Sequence, residues 1–156
     1  MPDPQTNHSI FLASEDATDA LGRLLAAHLV RGDTILLSGQ IGAGKSQLSR
    51  AIIRERLGRM EDVPSPTFTL VQTYEDAKGD IWHADLYRLG HPDDVLELGL
   101  DDAFETAICL IEWPDRLGPH VPATAIHLSL TQEGDGRRAV FCFTGHEDLA
   151  KALMNV

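Results

Sequence analysis

Cysteine is almost missing from this chain. Cys109 and Cys142 are its only two, each inside an apolar run, so they read as buried free thiols rather than a disulfide framework or a metal site. That usage fits a reducing compartment, and the cytoplasm is the expected location. No apolar run approaches the ~20 residues of a membrane-spanning helix, so no membrane partner is expected. Met1-Pro2-Asp3-Pro4-Gln5 has neither a basic stretch nor an apolar one, and a secretory signal is not expected. Internal repeats and low-complexity segments are absent too. Positive charge is scarce: 13 Lys and Arg stand against 24 Asp and Glu, a formal net charge of −11. A field of that sign repels phosphate backbones at long range, which argues against extensive direct binding of nucleic acid. The acidity then serves solubility or a basic protein partner.

What remains is an ordinary globular composition. A chain of 156 residues with 43% hydrophobic content is long enough to bury a core as one domain, spanning 1–156. Residues 1–8 read as a flexible tail, and Ile10-Phe11-Leu12 as a short strand. Ser14 is an N-cap for a helix whose apolar face is Leu21, Leu24, Leu25 and Leu29, ended by Arg31-Gly32-Asp33. A strand over 34–38 and a helix over about 44–58 follow. Thr69–Glu75 and Ile81–Tyr87 flank a turn signal at 76–80 and should pair antiparallel. His91-Pro92-Asp93-Asp94 starts an acidic helix, Asp93–Phe104, a candidate docking surface on charge alone. The run 107–113 reads as a buried strand. Ala125–Leu130 and Ala139–Thr144 read as a late hairpin, and Glu147–Met154 as a closing helix. The sum is the α/β class: a single phosphate-loop domain with a mixed parallel and antiparallel sheet flanked by helices.

The most informative stretch is Gly39-Gln40-Ile41-Gly42-Ala43-Gly44-Lys45-Ser46. It fits G-x-x-x-x-G-K-[ST] without a gap, after an apolar run (34–38) and before helical spacing at Leu48, Ile52 and Leu57. Glycines let the backbone curl so that successive N–H groups face phosphate oxygens, and the helix N-terminus adds partial positive charge. Lys45 should reach the β- and γ-phosphates, and the Ser46 hydroxyl should ligate Mg²⁺. Residues 39–47, Gln47 included, are therefore the expected contacts for ATP or ADP. No Asn-Lys-x-Asp sequence occurs, so the usual guanine-reading motif is missing and ATP is favoured over GTP.

Hydrolysis needs an acid near the metal and something to orient water. Glu112 ends the strand 108–111, and Asp85 lies near the end of another; in open α/β sheets the ligand sits at such ends. Either carboxylate could hold the metal or face the attacking water, or act as a structural cap. Thr67, in a proline-bounded loop, could sense the γ-phosphate as a switch threonine does. Trp113 follows Glu112 and should lie near the nucleotide, packing on the loop or stacking on the base. Arg88 could stabilise γ-phosphate charge or pair with a nearby acid. His83, on the strand face of Asp85, could bond a carboxylate or a partner, or serve as a structural histidine. Arg137 and Arg138, in the late turn, could reach the nucleotide or sit exposed. A small-molecule kinase on the same loop is the alternative, although no arginine-rich lid is evident and little length is left for an acceptor pocket.

Taken in order, Gly39–Ser46, Ser65-Pro66-Thr67-Phe68, His83-x-Asp85-x-Tyr87-Arg88 and Glu112-Trp113-Pro114 resemble the TsaE (YjeE) family of bacterial tRNA threonylcarbamoyladenosine synthesis, over nearly the whole chain. The resemblance implies ATP hydrolysis, with Mg²⁺ held by Ser46 and Glu112, Asp85 and Thr67 supporting hydrolysis, and Trp113 close to the nucleotide. It also implies nucleotide contacts around Ser14 and Arg137. The implied partner is a two-subunit transferase that places a threonylcarbamoyl group on the adenosine beside the anticodon. tRNA would be met only indirectly, through that partner. Gln40 stands where an aspartate is common in the family, and Ser46 where threonine is common; serine keeps the metal-ligating hydroxyl.

Overall fold

Seven strands and five α-helices follow one another in a computed structural model that describes residues 5–40 and 42–156. They are β1 (Gln5–Leu12), α1 (Glu15–His28), β2 (Thr34–Ser38), α2 (Lys45–Leu57), β3 (Val71–Asp76), β4 (Gly79–Asp85), α3 (Asp94–Leu98), α4 (Leu100–Thr106), β5 (Ile108–Glu112), β6 (Ile126–Glu133), β7 (Gly136–Thr144) and α5 (Glu147–Leu153). A 3₁₀ segment, Pro114–His120, follows β5. The strands form one sheet in the order β1-β7-β6-β2-β5-β4-β3. The inner four, β6, β2, β5 and β4, run parallel. β3, β7 and β1 are antiparallel additions at the two sides. The expected α/β class with a mixed sheet and flanking helices is what the chain forms.

The pattern of burial explains the layering. β2 and β5 are apolar at successive positions, so both of their faces need cover. On one face Ile35, Leu37, Ile108 and Leu110 pack with Leu21 and Leu25 of α1, Leu48, Ile52 and Ile53 of α2, and Leu149 and Leu153 of α5. On the other, Leu36, Cys109 and Ile111 pack with Val95 of α3, Leu100 and Ala103 of α4, and Leu117. Each fully buried leucine or isoleucine contributes roughly 1.5–3 kcal/mol. α1 and α2 approach closely at Gly22, where an added Cβ would lie 2.5 Å from the Ala51 methyl carbon.

Several expectations need correction. Residues 5–8, expected within a flexible tail, open β1 and pair with β7 from Gln5↔Thr144 onward; residues 1–4 lie outside the described ones. Their side chains alternate between exposed and half-buried, so an edge strand forms on backbone pairing with little apolar signal. The acidic helix over 93–104 is two helices, broken at Gly99, where φ is +80°. Arg137 and Arg138 belong to β7 rather than a turn, because the hairpin closes tightly around Gly134 and Asp135.

Candidate functional site

The parallel pairing of β4 with β5 sets Asp85 and Glu112 opposite each other at the carboxyl ends of both strands. Period-two alternation then fixes their face: 81, 83 and 85 on β4, like 108, 110 and 112 on β5, point to the side covered by α2. That helix begins at Lys45, directly after the glycine loop. Gly44 caps it at φ +103°, and an added Cβ there would lie 2.6 Å from the Arg137 guanidinium. Only glycine provides both that dihedral and that clearance.

The loop, the two carboxylates and the proline-rich segment converge on one cavity of about 470 Å³, lined among others by Lys45, Ser46, Thr67, Asp85, Glu112 and Trp113. Lys45 is 5% exposed. Its Nζ donates to the Gly39 carbonyl at 2.6 Å and lies 3.7 Å from the centre of the Trp113 ring. Burial pushes its pKa below the ordinary lysine value, while Glu112, Asp85 and Asp115 pull it back up. The Ser46 hydroxyl donates to Glu112 Oε1 at 3.2 Å, and His83 Nε2 lies 2.6 Å from Glu112 Oε2. Thr67 Oγ1 donates to Asp85 Oδ2 at 3.2 Å, and the Tyr87 amide donates to Oδ1 at 3.0 Å.

The remaining expected residues sit around this centre. Arg137 Nη1 donates to Gln47 Oε1 at 2.7 Å and to Thr18 Oγ1 at 3.1 Å, so it spans α2 and α1 beside the loop. Ser14 caps α1 by accepting from the Ala17 amide. It shares a cavity of about 150 Å³ with Gly42, Ala43 and Arg137. Gly39, Gln40 and Trp113 line a further cavity of about 500 Å³ against Leu130. Ile41 lies outside the described residues. Arg88 meets no acid among the described residues and stacks on the exposed Phe68 ring, 4.7 Å from its centre. Arg138 is turned away into a pair with Glu133 at 2.7 Å. Sequence reasoning missed Thr18, whose buried hydroxyl steadies Arg137; nothing in the linear pattern marks it.

The donor chemistry suits a hard cation. A serine hydroxyl and the carboxylates of two buried residues, Glu112 and Asp85, are oxygen donors of the kind Mg²⁺ prefers. Neither carboxylate has an arginine or lysine within ion-pair distance among the described residues. Yet no cluster of three or more His, Cys, Asp or Glu among them can hold a metal unaided. A cation here would need phosphate oxygens to complete its shell, as Mg²⁺ at nucleotide sites does.

Strand, glycine loop, buried lysine and strand-end carboxylates together define a phosphate-loop α/β domain. A family model described as "Threonylcarbamoyl adenosine biosynthesis protein TsaE" matches residues 12–140, and the chain belongs to that family. Proteins named tRNA threonylcarbamoyladenosine biosynthesis protein TsaE are similar across most of it. The one from Rickettsia conorii is 36% identical over 88% of this chain and 78% of its own. The one from a Nostoc species is 40% identical over 83% and 81%, and the one from Bacillus subtilis 33% identical over 80% and 78%. The crystal structure of Bacillus subtilis YdiB superposes with a TM-score of 0.78 at 27% identity, covering 99% of this chain and 97% of that one.

Proposed function

We propose that this chain is a Mg²⁺-dependent ATPase that serves formation of the threonylcarbamoyl group on the tRNA adenosine beside the anticodon. It acts on a two-subunit transferase rather than on the RNA. The observation that carries this reading is the convergence of Lys45, Ser46, Thr67, Asp85 and Glu112 on one cavity in a chain of the TsaE family.

The chemistry follows from the side chains. The N–H groups of the glycine loop and the first turn of α2 receive the phosphates of ATP. Lys45 exchanges the Gly39 carbonyl for a phosphate oxygen, and its charge then offsets charge growing in the transition state. Ser46 and Glu112 would hold Mg²⁺, which when bound neutralises phosphate charge and orients the terminal group. Asp85 orients the attacking water and accepts its proton, and the Thr67 hydroxyl fixes that carboxylate and lies near the terminal phosphate. Trp113, tilted on Tyr87 at 5.0 Å between ring centres, closes the side of the site. Ser14 and Arg137 are proposed as contacts on the nucleoside side, where their shared cavity meets the loop.

ATP turnover by the purified chain, with and without the transferase pair and tRNA, tests the reading. Strong stimulation by the transferase is expected, lost in Lys45→Ala and Glu112→Ala. Asp85→Asn should bind ADP normally and lose ~10²–10⁴ in turnover, the usual contribution of a positioned base. Unstimulated turnover with nucleotide binding intact would remove the tRNA-modification role. Phosphate transfer to an added acceptor, faster than hydrolysis, would replace it with a small-molecule kinase.

A further inference from the structure

We propose that His83 is a positioning residue for the metal carboxylate: its Nε2–H holds Glu112 in the orientation that a Mg²⁺–nucleotide complex requires. The inference deepens the proposed Mg²⁺ site and rests on it. His83 lies on β4 opposite Leu110, two residues before Asp85 and on the same face. Its side chain is 1% exposed, that of Glu112 is 3% exposed, and Nε2 stands 2.6 Å from Oε2. The other ring nitrogen, Nδ1, is buried without a hydrogen-bond partner among the described residues. A proton there would be an orphaned buried donor, which is costly. A bare lone pair is the less costly occupant, since orphaned N–H groups are the rarer case. The proton therefore sits on Nε2 and is donated to Glu112.

The other contacts of Glu112 explain why this one matters. Its Oε1 accepts from the Ser46 hydroxyl, whose own oxygen is a candidate ligand and must be free to turn toward the metal. Among the described residues His83 has no second side-chain partner, so its bond stays with Glu112 whether or not Ser46 turns. A glutamate side chain left to itself has rotamer freedom to lose on ligation. A fixed donor on a neighbouring strand removes much of that freedom before the metal arrives, as outer-shell donors do at metal sites.

The test is the dependence of ADP affinity on Mg²⁺, measured by calorimetry on the full chain. In His83→Leu the Mg²⁺ concentration that half-saturates the effect should rise ~10–100-fold, with ADP affinity in the absence of Mg²⁺ unchanged. His83→Gln carries an amide N–H at about the reach of Nε2 and should stay within a few-fold of the native chain. Equal Mg²⁺ dependence in native and Leu chains would overturn the proposal, as would equal impairment in Leu and Gln. ¹⁵N NMR of the native chain labelled at histidine needs no variant to fold. A proton on Nε2 supports the proposal, and a bare Nε2 overturns it. The two layers separate cleanly. Mg²⁺ dependence that Glu112→Ala abolishes but His83→Leu leaves intact removes only the role of His83. No Mg²⁺ dependence in the native chain removes the metal site and this role together.

Discussion

Burial separates the two thiols. Cys109 is fully enclosed on β5, and burial pushes its thiol from 9.0 up to about 12. Cys142 is half-buried on β7, where its sulfur accepts from Gln5 Nε2 at 3.2 Å. At pH 8 a thiol of pKa about 12 is thiolate in only ~1 molecule in 10⁴, and the thiolate is the reactive form. Alkylation of the native chain at pH 8 should therefore label Cys142 and spare Cys109 until denaturant is added; early labelling of Cys109 would count against its enclosure. The sign of the stability effect follows. Below pH 9 both states hold the proton, and the contribution of a neutral buried thiol is complete. As pH rises from 9 toward 12, only the unfolded chain releases that proton, so stability falls by up to ~1.4 kcal/mol per pH unit. Denaturation midpoints should drop less between pH 8 and about pH 10.5 in Cys109→Ala than in the native chain. The residues that line the candidate site were legible by type in sequence: a lysine after glycines, a serine after it, and acids at the ends of apolar strands. The bond from His83 to Glu112 was one of several open readings, because a histidine pattern does not say which carboxylate a neighbouring strand will present.

Elements are held apart or together by single residues, and α1 with α2 shows this most directly. Helix propensity alone says that Gly22→Ala should stabilise α1 by up to ~1 kcal/mol. The structure gives the opposite sign, since the new methyl carbon would lie 2.5 Å from that of Ala51, with α2 backbone 3.4 Å away. Overpacking of this kind costs ~1–3 kcal/mol, so Gly22→Ala should lower the midpoint of urea unfolding. Gly22→Ala with Ala51→Gly should recover part of the loss; a single variant as stable as the native chain would show that the helices can part without cost. The strongly patterned elements, β2, α2 and β5, were readable from the sequence. β1 was only partly so, because Gln5, Thr6, Asn7 and His8 offer no apolar run and are ordered by pairing with β7. The break at Gly99 and the 3₁₀ segment after Trp113 were missed for a related reason. Both depend on left-handed dihedrals, φ +80° at Gly99 and +58° at Trp113, which a hydrophobic period does not report.

At the scale of the whole molecule, what the sequence hid was strand order. Asp85 and Glu112 become neighbours only because β4 lies beside β5 in parallel register, and Arg137 reaches Gln47 across 90 positions of chain. Charge, by contrast, is a whole-molecule property that needs no fold, and it makes the last prediction. A net charge of −11 sets a repulsive field against RNA, and the arginines that gather on one cavity, Arg23, Arg50, Arg54 and Arg59, share it with Glu15, Asp19 and Glu55. Arg56 is paired with Asp76, Arg59 with Glu61 and Arg138 with Glu133, while Lys45 is buried within the site. A protein that neutralised several phosphates would show binding that weakens steeply with salt, with a log–log slope of about −0.7 to −0.9 per phosphate. This chain should bind tRNA with a dissociation constant no tighter than ~10⁻⁴ M at physiological salt, the weak end of non-specific binding. Lowering the salt should bring little improvement, because no phosphate-bound counterions are released. Retention of the chain by tRNA should then require a third component with its own basic surface. Filter binding of labelled tRNA to the purified chain across a salt series decides the matter. A micromolar constant that loses orders of magnitude between 50 and 200 mM salt would mean that a local basic surface overrides the global field, and that the RNA, rather than a protein partner alone, meets this molecule directly.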